Sequence, residues 1–197
     1  MKPLDLLSKV INSTYELQEK ENMWTNSRFE KVNRLKNDYS GKAGELFLKD
    51  LCESIKIKYH YDEDVNSLDG TYDIIINGKK TEVKTAREGT SKKGEGYGVH
   101  QHENLRSGDE CDYYAFVDIS PTGAHLTLLK KQEVCWNAKH PQLGNTPHLR
   151  RETTDVYKWD FSQAVLKRAR KADYCLKMDD KTSFREIKSF FQRRNVI

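Results

Sequence analysis

A chain of 197 residues with 36% hydrophobic residues is long enough to build one compact domain around a single real core. Its 34 Lys and Arg against 30 Asp and Glu give a net charge of +4, mildly basic and far from histone-like density. Four cysteines with no CxxC spacing exclude a locally built zinc ribbon or thioredoxin motif, and no apolar stretch reaches membrane-spanning length. Unpaired Cys52, Cys111, Cys135 and Cys175 fit a reducing compartment, so the expected location is cytoplasmic, with no membrane partner.

Leu4, Leu6, Leu7, Val10, Ile11 and Leu17 recur at helical spacing and predict an amphipathic helix over 3–21. A polar connector through Asn22, Asn26 and Ser27 leads to a second helix over about 39–55. It carries Ala43, Leu46, Phe47, Leu48 and Leu51, with Gly41 and Gly44 allowing close packing at its start. The period then changes to two, with Ile57, Tyr59 and Tyr61 alternating with polar residues as in a half-buried strand. An acidic turn from Asp62 to Asp69 precedes TYDIIINGKKTEVKTA, where two β-prone runs flank Asn77-Gly78, the pair that best tolerates the positive φ angles of a type I′ turn.

Residues 87–100 predict a Gly-, Ser- and Lys-rich loop, QHENLR a short helix, YYAFVDI a buried strand and LTLLKK a further strand. Beyond Lys130, a polar loop around Pro141 and Pro147 gives way to helical segments near 161–172 and 183–194. From Arg150 onward there are 13 Lys or Arg against 7 Asp or Glu, so this quarter could face a polyanion, although an ordinary solvated helix surface carries such charges too. The organisation predicted is one α/β domain with an N-terminal helical segment over 1–37, a catalytic core over 38–130 and a basic helical region over 131–197.

The hairpin has a chemical consequence. With Asn77 and Gly78 as the loop, Ile76 pairs with Lys79, Ile75 with Lys80, Ile74 with Thr81 and Asp73 with Glu82. Directly opposed side chains have Cβ atoms about 5 Å apart, so two carboxylates converge, an arrangement that a divalent cation would stabilise. Lys84, two residues past Glu82, projects from the same face. Acid, acid and ammonium in one small volume suit phosphodiester hydrolysis, although charges on a hairpin are often plain surface decoration.

With Glu45 on the preceding helix, Asp73 and Glu82-Val83-Lys84, the sequence resembles the PD-(D/E)XK restriction-endonuclease-like superfamily over residues 38–120. That resemblance implies an α/β fold with a restriction-endonuclease-like core, a central mixed sheet of about five strands flanked by helices. It implies that Asp73, Glu82 and the Val83 carbonyl bind Mg2+, with Mn2+ able to substitute, that Lys84 positions the attacking water, and that Glu45 joins through a water or a second metal. Tyr72 stands where the family name has Pro, and Asp69, beside Gly70, reads as a turn residue. Arg87, Lys92, Lys93, His100 and Gln101 fall where family members approach DNA phosphates. His100 and His102 form a His-x-His pair, but a transition-metal site would need further ligands.

The implied activity is Mg2+-dependent cleavage of double-stranded DNA. With no zinc finger, evident helix-turn-helix or separate recognition domain, the chain is expected to be a type II restriction endonuclease or its cleavage subunit, partnered by a larger sequence-recognising subunit or a second copy of itself. Repair, resolvase and transposon-end nucleases share the motif. A noncatalytic DNA-binding module and a small-molecule hydrolase are the readings from other classes, opposed by the complete Glu, Asp, Glu and Lys set and by the basic Gly-rich loop.

Overall fold

The computed structural model describes residues 2–17, 28–29, 31–32, 35, 37–61, 72–90, 96–150 and 154–197. Among them the chain forms four α-helices and a mixed sheet of nine strands. In order these are α1 (Pro3–Leu17), α2 (Asn37–Ser54), β1 (Tyr59–His60), β2 (Ile74–Ile76), β3 (Lys79–Thr90), β4 (Gly96–Arg106), β5 (Tyr113–Ser120) and β6 (Gly123–Lys130). Then follow β7 (His148–Leu149), β8 (Val156–Ser162), α3 (Gln163–Lys171), β9 (Cys175–Met178) and α4 (Phe184–Arg193).

The sheet runs β7-β8-β4-β3-β5-β6-β9, with β2 joined to β3 and β1 to β2. Among the described strands only β3 and β5 run parallel. β5 lies at its centre because YYAFVDIS has side chains fit to bury on both faces, and all eight are buried. Tyr113, Ala115, Val117 and Ile119 pack with Leu7 of α1, Phe47 of α2 and Phe190 of α4. On the other face, Tyr114 and Phe116 meet Trp159 and Phe161 of β8 and Leu166 of α3, so one sheet divides two cores.

Asn77 (φ 49°) and Gly78 (φ 80°) take the left-handed conformations of a type I′ turn, and the register pairs Ile74 with Thr81, Ile75 with Lys80 and Ile76 with Lys79, as the turn length dictates. Gly44 lets α2 lie on β3, since a Cβ there would sit 1.8 Å from Thr85 Oγ1. A Cβ on Gly41 would meet nothing within 4 Å, so that glycine has no packing role.

Several expectations are corrected. The sheet has nine strands among the described residues, not about five. QHENLR is not a helix but part of β4, where Gln101 and Glu103 alternate with buried His100 and His102. The loop expected over 87–100 is largely strand, because β3 continues to Thr90 and β4 starts at Gly96. The region 131–197 is not mainly helical: in β8, buried Tyr157, Trp159 and Phe161 alternate with half-buried Lys158 and Asp160, a period of two that makes a strand. α3 begins only after Ser162, whose side chain accepts from the Val165 N–H and caps the helix. The connector at 22–27, the acidic turn with Asp69, and Lys92 and Lys93 lie outside the described residues, as do 18–21 of the first expected helix. No described helix is long and apolar enough to cross a membrane.

Candidate active site

Past Thr81, β2 no longer pairs with β3, and β4 rejoins that side only at Glu88. The other edge of β3 stays paired to β5 from Thr81 to Arg87. The stretch between opens onto a groove of about 470 Å³, lined by Ser40, Gly41 and Glu45 of α2, Asp73, residues 82–87 of β3, Gly89, and Gln101, Glu103 and Asn104 from β4.

Asp73 stands just before β2 and carries the hairpin register one step further. Its N–H donates to the Thr81 carbonyl at 3.0 Å, and its Oδ2 accepts from the Val83 N–H at 2.6 Å. Its carboxyl is thereby laid against that of Glu82, and the protonation of each depends on the other. Burial, then the Glu82 and Glu45 carboxylates, push Asp73 up to about 8, against the pull of the Val83 N–H and Lys84. Burial also raises Glu82, despite Lys84, whose Nζ lies 2.5 Å from Glu82 Oε1. Burial alone would lower Lys84, but Glu82, Asp73 and Asp109 outweigh it and hold the ammonium charged. Among the described residues, Glu82 Oε2 is buried without a hydrogen-bond partner.

Three residues around this centre are not among those the sequence singles out. Tyr61 donates from its hydroxyl to Glu45 Oε2 at 3.0 Å, and Lys42 Nζ donates to the Tyr61 hydroxyl at 2.5 Å, so Glu45 is held in place from two sides. Asp109, buried, accepts from the Tyr114 hydroxyl at 2.9 Å and acts on both Glu82 and Lys84. Lys42 lies one helical turn before Glu45 and was legible in principle. Tyr61 and Asp109 arrive by tertiary packing alone.

The structure brings Glu45, Asp73, Glu82, Val83 and Lys84 to one groove, and Arg87 and Gln101 to its walls. One Arg87 nitrogen donates to the carbonyls of Val32 and Leu35, both at 3.3 Å, so this side chain helps tie that segment to β3. The expected DNA contact from His100 is corrected: its ring has no exposed surface and lies 3.2 Å from Ser120 Oγ and 3.4 Å from the Phe161 carbonyl, inside the second core. His102 is buried beside it, its Nε2 2.8 Å from Asp118 Oδ1.

Among the described residues no three or more His, Cys, Asp or Glu side chains are already arranged to hold a metal ion. A hard cation such as Mg2+ needs fewer, since it binds through one or two carboxylates and completes its shell with waters and substrate phosphate. Asp73 and Glu82 are such a pair, all-oxygen in their donors, with Glu82 raising Asp73 and with one Glu82 oxygen unpaired among the described residues.

No protein-family model matches the chain, and no curated protein matches it in sequence.

Proposed function

We propose that the protein is a Mg2+-dependent endonuclease of the PD-(D/E)XK type that hydrolyses phosphodiester bonds in double-stranded DNA. The observation that carries this reading is buried Glu82 beside half-buried Asp73, with Lys84 ion-paired to Glu82, at the open edge of β3. The β2–β3 hairpin, β5 parallel to β3 and α2 seated on β3 through Gly44 support the reading of a restriction-endonuclease-like core.

Asp73 and Glu82 would hold the cation, with Val83 beside them, its N–H fixing Asp73 in place. The chemistry a bound Mg2+ supplies at such a site is Lewis acidity, which eases deprotonation of water and offsets charge developing on the phosphate. Lys84, kept charged, donates hydrogen bonds that orient water against the phosphorus and meet the incoming negative charge. Glu45, fixed by Tyr61 and Lys42, adds a third carboxylate to the site from the α2 side. Buried carboxylates with perturbed protonation in a groove are what active sites accumulate.

Within this class we place the chain as a type II restriction endonuclease or its cleavage subunit, acting in the cytoplasm with a larger sequence-recognising subunit or with a second copy. Incubation with supercoiled plasmid tests the activity. Nicked or linear DNA is expected with Mg2+ and not with EDTA, from the chain alone or together with a partner encoded beside it. Intact plasmid under every condition would overturn the reading.

A further inference from the structure

The wall of the groove contributed by β4 carries a set of side chains that the chemistry does not use. Gln101 and Glu103, exposed, turn into the groove while His100 and His102 turn into the second core. The alternation then breaks. Between the pairs His102 with Trp159 and Leu105 with Tyr157, β4 holds one residue more than β8, a bulge of the kind that re-aims a side chain beside a functional site. Asn104 sits in that bulge with a left-handed φ of 57°, and it joins Gln101 and Glu103 on the groove wall. Arg150, just past β7, donates to Asn104 Oδ1 at 3.1 Å and lies 3.8 Å from Glu103 Oε2, which holds the three in one cluster.

The chemistry of this cluster distinguishes two roles. Amides and guanidinium groups also meet phosphates, but a carboxylate repels them, so a wall built only to hold the backbone has no use for one. This one carries an amide, a carboxylate, a second amide and a guanidinium, the groups whose donors and acceptors match base edges. Gln and Asn pair with adenine, Arg with guanine, and Glu accepts from the cytosine amino group. We infer that Gln101, Glu103 and Asn104, with Arg150, read base edges of the duplex whose backbone lies at Asp73 and Glu82, so that sequence preference resides in this chain. The inference rests on the nuclease reading above.

The test is Mg2+-dependent cleavage of a randomised duplex library, with the base frequencies at each position of the products read by sequencing, so that the result does not depend on overall rate. The variants are Gln101→Ala, Asn104→Gly and Arg150→Ala. All three replace exposed side chains, and glycine retains the left-handed backbone at position 104. Thermal melting confirms that each is folded. The wild-type chain is expected to give a consensus, and each variant to lose about tenfold or more of the discrimination at one or two positions. Product frequencies unchanged in all three would overturn the inference and leave the nuclease reading standing. So would wild-type cleavage without preference, which would make this wall a backbone support. No wild-type cleavage, alone or with the partner encoded beside it, would overturn the nuclease reading itself.

Discussion

Asp73 is held by a backbone N–H yet pressed by two other carboxylates in a poorly solvated place. A carboxyl raised from 3.8 to about 8 binds its proton more tightly in the folded chain than in the unfolded one. The stability this gives is complete below pH 4 and is lost as pH rises towards 8. The metal-free protein should therefore weaken across that window, and Asp73→Asn, which keeps an acceptor for the Val83 N–H, should flatten the loss. At neutral pH the gain is expected to be roughly 1–2 kcal/mol, or about 2–8 °C in Tm, together with loss of cleavage. Denaturant unfolding without metal at several pH values measures it, and a variant no more stable than wild type would remove the repulsion from the account. Asp73, Glu82 and Lys84 were legible in the sequence because a two-residue turn fixes which side chains oppose one another. Tyr61 and Asp109 were not, because nothing local relates them to Glu45 or Lys84 before the chain is packed.

α2 and β3 meet through Gly44, and the contact is testable against Gly41 three residues earlier. Gly44→Ala drives a methyl into Thr85 and should cost roughly 1–3 kcal/mol, displacing Glu45 as the helix shifts. Gly41→Ala meets nothing and replaces a poor helix former, so it should stabilise by about 0.5–1 kcal/mol. Chemical denaturation of both decides, and equal effects would show that α2 does not pack as described. Elements with plain periodicity were readable before folding: α1, α2, the hairpin, β5 and β6. β4 was not, because its inward residues are His100 and His102, polar by composition and buried only because Asp118, Ser120 and the Phe161 carbonyl await them. β8 shows its period of two in Tyr157, Trp159 and Phe161, but the basic residues that follow in α3 drew the whole region toward a helical reading.

The molecule is one sheet with an apolar core on the helical side and an aromatic core with polar insertions on the other. His125 belongs to the latter, facing Asp118 on β5, Arg170 of α3, Lys177 of β9 and His100. Burial, reinforced by Arg170, His100 and Lys177 against Asp118, lowers it to about 4, and its Nε2 accepts from Arg170 at 2.7 Å. A depressed histidine contributes stability that is complete above about pH 6.5 and is lost as pH falls towards 4, here on the order of 2–3 kcal/mol. His125→Gln, which can still accept from Arg170, should flatten that acid limb, and an unaltered limb would place the acid sensitivity elsewhere. These cores hold β3 so that its open edge presents Glu82 and Lys84 to the groove. The most direct test of that claim is single-turnover cleavage of a duplex substrate at saturating Mg2+ by wild type and by Lys84→Ala with matched melting behaviour. A rate lower by about 10²-fold or more in the variant is predicted, whereas equal rates would contradict the assignment of Lys84 to the chemistry.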